Sequence, residues 1–185
     1  MKKIPTLFER TFENHKVVGI TDKVTEGLEW VLDGEGIATE KIDGSATTII
    51  YGVFYKRFDT KKGKTPPDGA IPCCEPDPVT GHWPHWVKVD FENKADRWYA
   101  EAYNNTPEHT DGTYEAIGPH FQRNPYGLSA EILEPHGAKH IEVERTFDGI
   151  RAYLETHNIE GIVFWKDGEP KCKIKRRDFG FKWPE

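Results

Sequence analysis

From Thr39 to Arg57 the chain alternates between strand-forming runs and the residues that interrupt them. Thr39-Glu40-Lys41 closes one predicted strand, and Asp43-Gly44 reads as a tight turn into the next. Ala46 to Tyr51 and Val53 to Arg57, parted by Gly52, are rich in β-branched and aromatic side chains. Strands joined by such short turns form an antiparallel meander. The same reading puts Lys41 at a strand end just before a turn, where a lysine is either a solvated charge or a nucleophile.

The remaining chain adds helices to this sheet. A strand is expected at Lys16 to Ile20 and a short helix around Val24 to Leu32. Another short helix is expected at Lys94 to Tyr103, followed by a strand at Gly112 to Ile117. Phe147, Ile150, Tyr153 and Leu154 recur at helical spacing between Thr146 and His157. Glu160 to Trp165 and Pro170 to Ile174 form a hairpin about Asp167-Gly168. Between Asp59 and Pro84, Lys, Gly, Pro and Asp dominate, which reads as a long loop or flap at 59–84. The expectation is an α+β fold built on antiparallel sheet, with residues 1–185 forming a single domain.

Composition bounds the partners. Apolar residues are 36% of the chain, but six Trp, ten Phe and seven Tyr supply enough area for a core. With 25 Lys and Arg against 31 Asp and Glu the net charge is -6, so bulk charge announces no polyanion partner. Between Lys171 and Lys182, however, six basic residues stand with one acid. Three cysteines, two of them adjacent, make no disulfide framework, and the N-terminus has no apolar leader-like run. No apolar stretch approaches membrane-spanning length. A cytoplasmic protein without membrane attachment is expected.

Four pieces can carry chemistry. Lys41 is the first, and Glu115 in the strand Gly112 to Ile117 is the second. Glu160, opening the strand Glu160-Gly161-Ile162-Val163, is the third. The fourth is Lys171, Lys173 and Lys175, which share one face of a strand by its two-residue period. A lysine attacks only as the neutral amine, which neighbouring cations favour. The same cations stabilise charge on a triphosphate during displacement. One carboxylate beside them can hold a divalent ion, and another can accept a ribose hydroxyl.

In this order the pieces resemble the covalent nucleotidyltransferases, the polynucleotide ligases and capping enzymes. Lys41-Ile42-Asp43-Gly44 matches motif I, Tyr114-Glu115 motif III, Glu160-Gly161-Ile162-Val163 motif IV and Lys173-Ile174-Lys175 motif V. Arg57 falls where a motif Ia arginine would. Within that superfamily the chain is most similar to the ATP-dependent 5′-3′ RNA ligase family that vertebrates carry as RNA ligase 1. The similarity extends over Gly81 to Val87, Asn124-Pro125-Tyr126-Gly127-Leu128, Pro135-His136-Gly137-Ala138 and Phe181-Lys182-Trp183-Pro184.

The resemblance implies a ligase adenylation domain of ATP-grasp-like type. It implies that Lys41 takes AMP from ATP, with Mg²⁺ or Mn²⁺, and passes it to the 5′-phosphate of RNA for sealing by a 3′-hydroxyl. Glu115 would bind the ribose, Glu160 a metal ion, and Lys173 and Lys175 the α-phosphate. Arg57 would meet the nucleotide or the RNA phosphate, and Glu40 would lie beside the adenine, chiefly through its main chain. Arg176, Arg177, Trp86 and the flap are the expected RNA contacts. The chain ends soon after motif V, so a minimal domain without the oligonucleotide-binding fold of DNA ligases is expected. A DNA ligase, a GTP-dependent guanylyltransferase and a non-catalytic module that binds nucleotide or RNA ends are the competing readings. Cys73, Cys74, His82 and His85 make a poor zinc set, because adjacent cysteines lack the usual ligand separation. His120 and His136 read as loop histidines.

Overall fold

The computed structural model describes residues 3–14 and 16–184. In chain order its strands are β1 (Phe8–Glu13), β2 (Lys16–Val24), β3 (Ile37–Lys41), β4 (Ser45–Ile50), β5 (Val53–Thr60) and β6 (Ile71–Pro72). They continue with β7 (Trp83–Lys88), β8 (Gly112–Ile117), β9 (Ile132–Pro135), β10 (Gly161–Lys166) and β11 (Glu169–Lys175). The helices are α1 (Arg97–Asn104) and α2 (Phe147–Thr156). Neither is long and apolar enough to cross a membrane. All strand pairs are antiparallel, and the fold is α+β.

The chain divides into two compact units. One is built from Ile4–Ile42 and Gly137–Glu185, the other on Asp43–His136. In the first, β11, β10 and β3 form a three-stranded sheet, and β1 pairs with β2. The two-residue period sends Ile162 and Phe164 of β10, Cys172 and Ile174 of β11 and Ala38 of β3 into one core. Ile150 and Leu154 of α2 fill the same core, four residues apart on one helix face. Thr146 caps α2 by accepting the Gly149 N–H at 3.0 Å. The β10–β11 turn is the expected one, with Asp167 and Gly168 both at positive φ (55° and 73°).

The second unit is a six-stranded sheet ordered β6-β7-β5-β4-β8-β9. Its core joins Ile49, Phe54, Tyr114, Ala116 and Leu133 with Ala102 of α1. The β4–β5 hairpin turns at Tyr51 and Gly52, again both at positive φ, with the two amides donating to the Asp111 carboxylate at 2.7 and 2.9 Å.

Three expectations need correction. Asp43-Gly44 is not a hairpin turn: β3 pairs with β10, β4 pairs with β5 and β8, and the dipeptide carries the chain from one sheet to another. Gly44 is required for space. A Cβ there would lie 2.3 Å from the Ala116 carbonyl oxygen. The helix expected at Val24 to Leu32 is a strand end plus one 3₁₀ turn at Glu29–Val31. The Thr25 N–H donates to the Leu7 carbonyl (2.8 Å), prolonging the sheet contact, and Gly27 at φ 83° then redirects the chain. The loop expected at 59–84 is narrower, since Asp59 and Thr60 pair with Pro84 and Trp83. Within it Ile71 and Pro72 form an edge strand, where a proline lacking its N–H is tolerated.

Candidate active site

Register places Lys41. In the three-stranded sheet Gly161 of β10 lies between Lys41 on β3 and Lys175 on β11, and cross-strand partners share a face. Gly161 has no side chain to part them, and a Cβ there would meet the Ile174 carbonyl oxygen at 2.3 Å. Val163, one pair further along, lies between Thr39 and Lys173. One face thus carries Lys41, Lys173 and Lys175, with the Trp165 Nε1–H donating to Thr39 Oγ1 at 2.8 Å. The opposite face is the apolar core.

Glu160 precedes β10 and holds this face together. Its carboxylate is 5% exposed as a residue, with Oε2 2.5 Å from Lys41 Nζ and Oε1 2.8 Å from Lys175 Nζ. The expectation surrounded Lys41 with cations. The structure sets a carboxylate against it and shares that carboxylate with Lys175. Glu40 lies elsewhere: it pairs with Ile162, on the core side of the sheet, and its N–H donates to the Lys139 carbonyl at 2.9 Å.

In the other unit the strand period gathers Arg57, Trp86 and Glu115 on one face of the six-stranded sheet. Lys56, one residue before Arg57, points to the opposite face and pairs with buried Asp96. Arg57 Nε donates to Asp59 Oδ1 at 2.9 Å, and His82 Nε2 lies 3.2 Å from Asp59 Oδ2. Partial burial raises the Asp59 pKa, but Arg57 and His82 outweigh it and leave it below the ordinary value. Glu115 uses both oxygens: Oε1 accepts the Gly44 N–H at 3.1 Å and Oε2 meets His136 Nε2 at 2.7 Å. His136, read as a loop histidine, is a partner of the ribose candidate. The segment Pro135-His136-Gly137 was its one visible signal.

Two RNA-contact candidates are corrected by burial. Trp86 is 7% exposed and offers no open ring for stacking. Arg176 is 3% exposed, and its guanidinium donates to the carbonyls of His157 (2.6 Å) and Lys182 (2.8 Å). A basic residue inside a basic run was spent on tying main chain. Arg177 is exposed, with one nitrogen donating to the Trp183 carbonyl at 2.7 Å.

Among the described residues no three His, Cys, Asp or Glu side chains gather as a metal-ligand set. A divalent cation that keeps most of its waters and bridges to phosphate needs only one or two carboxylates. Glu160 fits that demand, provided one ammonium leaves it.

No family model matches the chain. It is 31% identical to RNA ligase 1 of Danio rerio over 56% of this chain and 42% of that protein. It is 28% identical to RNA ligase 1 of Pongo abelii over the same shares, 56% and 42%. RNA ligase 1 of Rattus norvegicus is 27% identical, over 70% of this chain and 47% of its own length. The chain therefore resembles RNA ligase 1 proteins over more than half its length, and spans less than half the length of these relatives.

Proposed function

We propose that this chain is an ATP-dependent RNA ligase of the nucleotidyltransferase type, working in the cytoplasm. The observation that carries the reading is the Lys41–Glu160–Lys175 cluster. Three sequence motifs, the first more than a hundred residues from the other two, supply one buried carboxylate and two ammoniums.

The first step is attack of the neutral Lys41 amine on the α-phosphorus of ATP. A P–N bond forms, the bond to pyrophosphate breaks, and the ammonium proton leaves to a base. Glu160 Oε2, hydrogen-bonded to Nζ, is placed to receive it. The same carboxylate would be the one to hold a metal ion, where it would help the ion neutralise charge on the triphosphate. Mg²⁺ or Mn²⁺, when bound, supplies charge neutralisation for the triphosphate. Lys173 and Lys175 stabilise the α-phosphate, Glu115 accepts from the ribose, and the main chain at Glu40 borders the adenine. AMP then passes to an RNA 5′-phosphate, and a 3′-hydroxyl displaces it as the phosphodiester forms. Arg57 and Arg177 meet the phosphates of this substrate.

The test is a joining assay with 5′-phosphorylated RNA and matched DNA, ATP or GTP, and Mg²⁺ or Mn²⁺. The reading expects ATP-dependent joining of RNA, lost in Lys41→Ala. Joining confined to DNA, or dependence on GTP, would contradict it and move the chain to a DNA ligase or guanylyltransferase.

A further inference from the structure

The turn that follows Lys41 is gripped by a strained loop. Gln122, Arg123 and Asn124 lie consecutively at φ 47°, 61° and 54°. L-residues other than glycine enter this left-handed region singly, not in runs. The loop is braced internally: Asn124 Nδ2 donates to the Leu128 carbonyl and Asn124 Oδ1 accepts the Leu128 N–H, both at 2.9 Å. The Asn124 N–H donates to the Phe121 carbonyl at 2.8 Å, and Phe121 is buried in the core.

Two side chains leave this loop for the same dipeptide. Tyr126 Oη accepts the Asp43 N–H at 2.7 Å, and Gln122 Nε2 donates to the Gly44 carbonyl at 3.0 Å. From β8, Glu115 accepts the Gly44 N–H. Three side chains thus hold three polar main-chain groups of Asp43 and Gly44. Backbone strain persists where surroundings over-determine it, and it gathers at clamps and reaction sites. Here the strained residues flank one of the two gripping side chains and carry the other.

We infer that Tyr126 and Gln122 are positioning residues for lysine adenylation, fixing the main chain two residues beyond Lys41 and so limiting the freedom of the nucleophile's strand end. The inference rests on the ligase reading. Displacing a reacting group by ~1 Å costs up to ~100-fold in rate, so a loosened turn acts on the chemical step rather than on ATP binding.

The test uses the full chain and the variants Tyr126→Phe, which removes only the hydroxyl, and Gln122→Ala, at an exposed position. Two quantities are measured: amide exchange at Asp43 and Gly44, and the rate of AMP loading across ATP concentration. Exchange should rise on the order of 10-fold. The maximal loading rate should fall roughly 10-fold or more in Tyr126→Phe and less in Gln122→Ala, with half-saturating ATP unchanged within about twofold. Unchanged exchange would overturn the grip on the turn. Raised exchange with an unchanged maximal rate, or a shift confined to half-saturating ATP, would overturn the positioning role. A wild-type chain that takes no AMP would sink the ligase reading and the adenylation role with it, while exchange would still decide whether the loop holds the turn.

Discussion

The two units hold their polar groups by different means. In the unit of 4–42 and 137–185, sheet register sets Lys41 and Lys175 on either side of Gly161, and buried Glu160 closes the set. In the unit of 43–136, side chains from a strand and a loop reach over to hold a turn that belongs to no hairpin. A ladder fixes charges by backbone pairing, which here needs one special residue, Gly161, to leave room between them. A turn outside any ladder needs individual side chains and, here, three left-handed residues to aim them. The first arrangement suits a cluster of charges whose backbone positions stay fixed while their side chains exchange partners. The second suits a piece of main chain that must be kept from moving.

Removing the carboxylate from the charge cluster should have the largest effect. Glu160→Ala leaves two ammoniums at a mostly buried site without their partner, and breaking such a pair costs about 3 kcal/mol or more. Urea unfolding would measure it. A loss below about 1 kcal/mol would mean that solvent screens the cluster, and the contrast between the units would fail. The turn gives a smaller effect. Gly44→Ala drives a Cβ to 2.3 Å from the Ala116 carbonyl oxygen, so β8 or the turn must shift, at about 2 kcal/mol. A neutral result would show that the turn is not tightly held.

The smallest effect concerns the core beneath the lysine face. Burial pushes the Cys172 thiol up from 9.0 to about 12, against a lowering by Arg145. At pH 8 an alkylating reagent should label the part-exposed Cys73 and Cys74 in the folded chain and spare Cys172, while urea should open all three. The sign of the pH effect follows. Above about pH 9 the unfolded chain loses a thiol proton that the folded chain keeps to about pH 12, so stability falls as pH rises through that window. Labelling of Cys172 at the rate of the other two would show that the unit's core is open.

What was legible in the sequence divides along the same line. The hairpin at Asp167-Gly168 was readable because turn and strand signals are local, and so was α2, from its spacing and its Thr146 cap. The period of two put Lys173 and Lys175 on one face correctly, while Lys171 falls at a register shift where the period breaks. The partner of β3 was not readable, because β10 lies more than a hundred residues away and pairing carries no local mark. That gap turned Asp43-Gly44 into an expected hairpin and hid the Glu160 carboxylate against Lys41. Arg176 and Trp86 misled for another reason: residue type suggested a nucleic-acid surface, while burial assigned one to main-chain carbonyls and the other to the sheet. The Gln122-Arg123-Asn124 segment gave almost no warning, since of the three only asparagine favours the left-handed region.

The central claim is that Lys41 is a nucleophile held ready by its charge cluster. The most direct test is the intact mass of the purified chain, freed of bound nucleotide, after incubation with ATP and Mg²⁺ or Mn²⁺. The account predicts one added AMP, absent from Lys41→Ala and not replaced by GMP when GTP is supplied. No adduct with either metal would contradict it and leave Lys41, Glu160 and Lys175 as an ion cluster that binds without reacting.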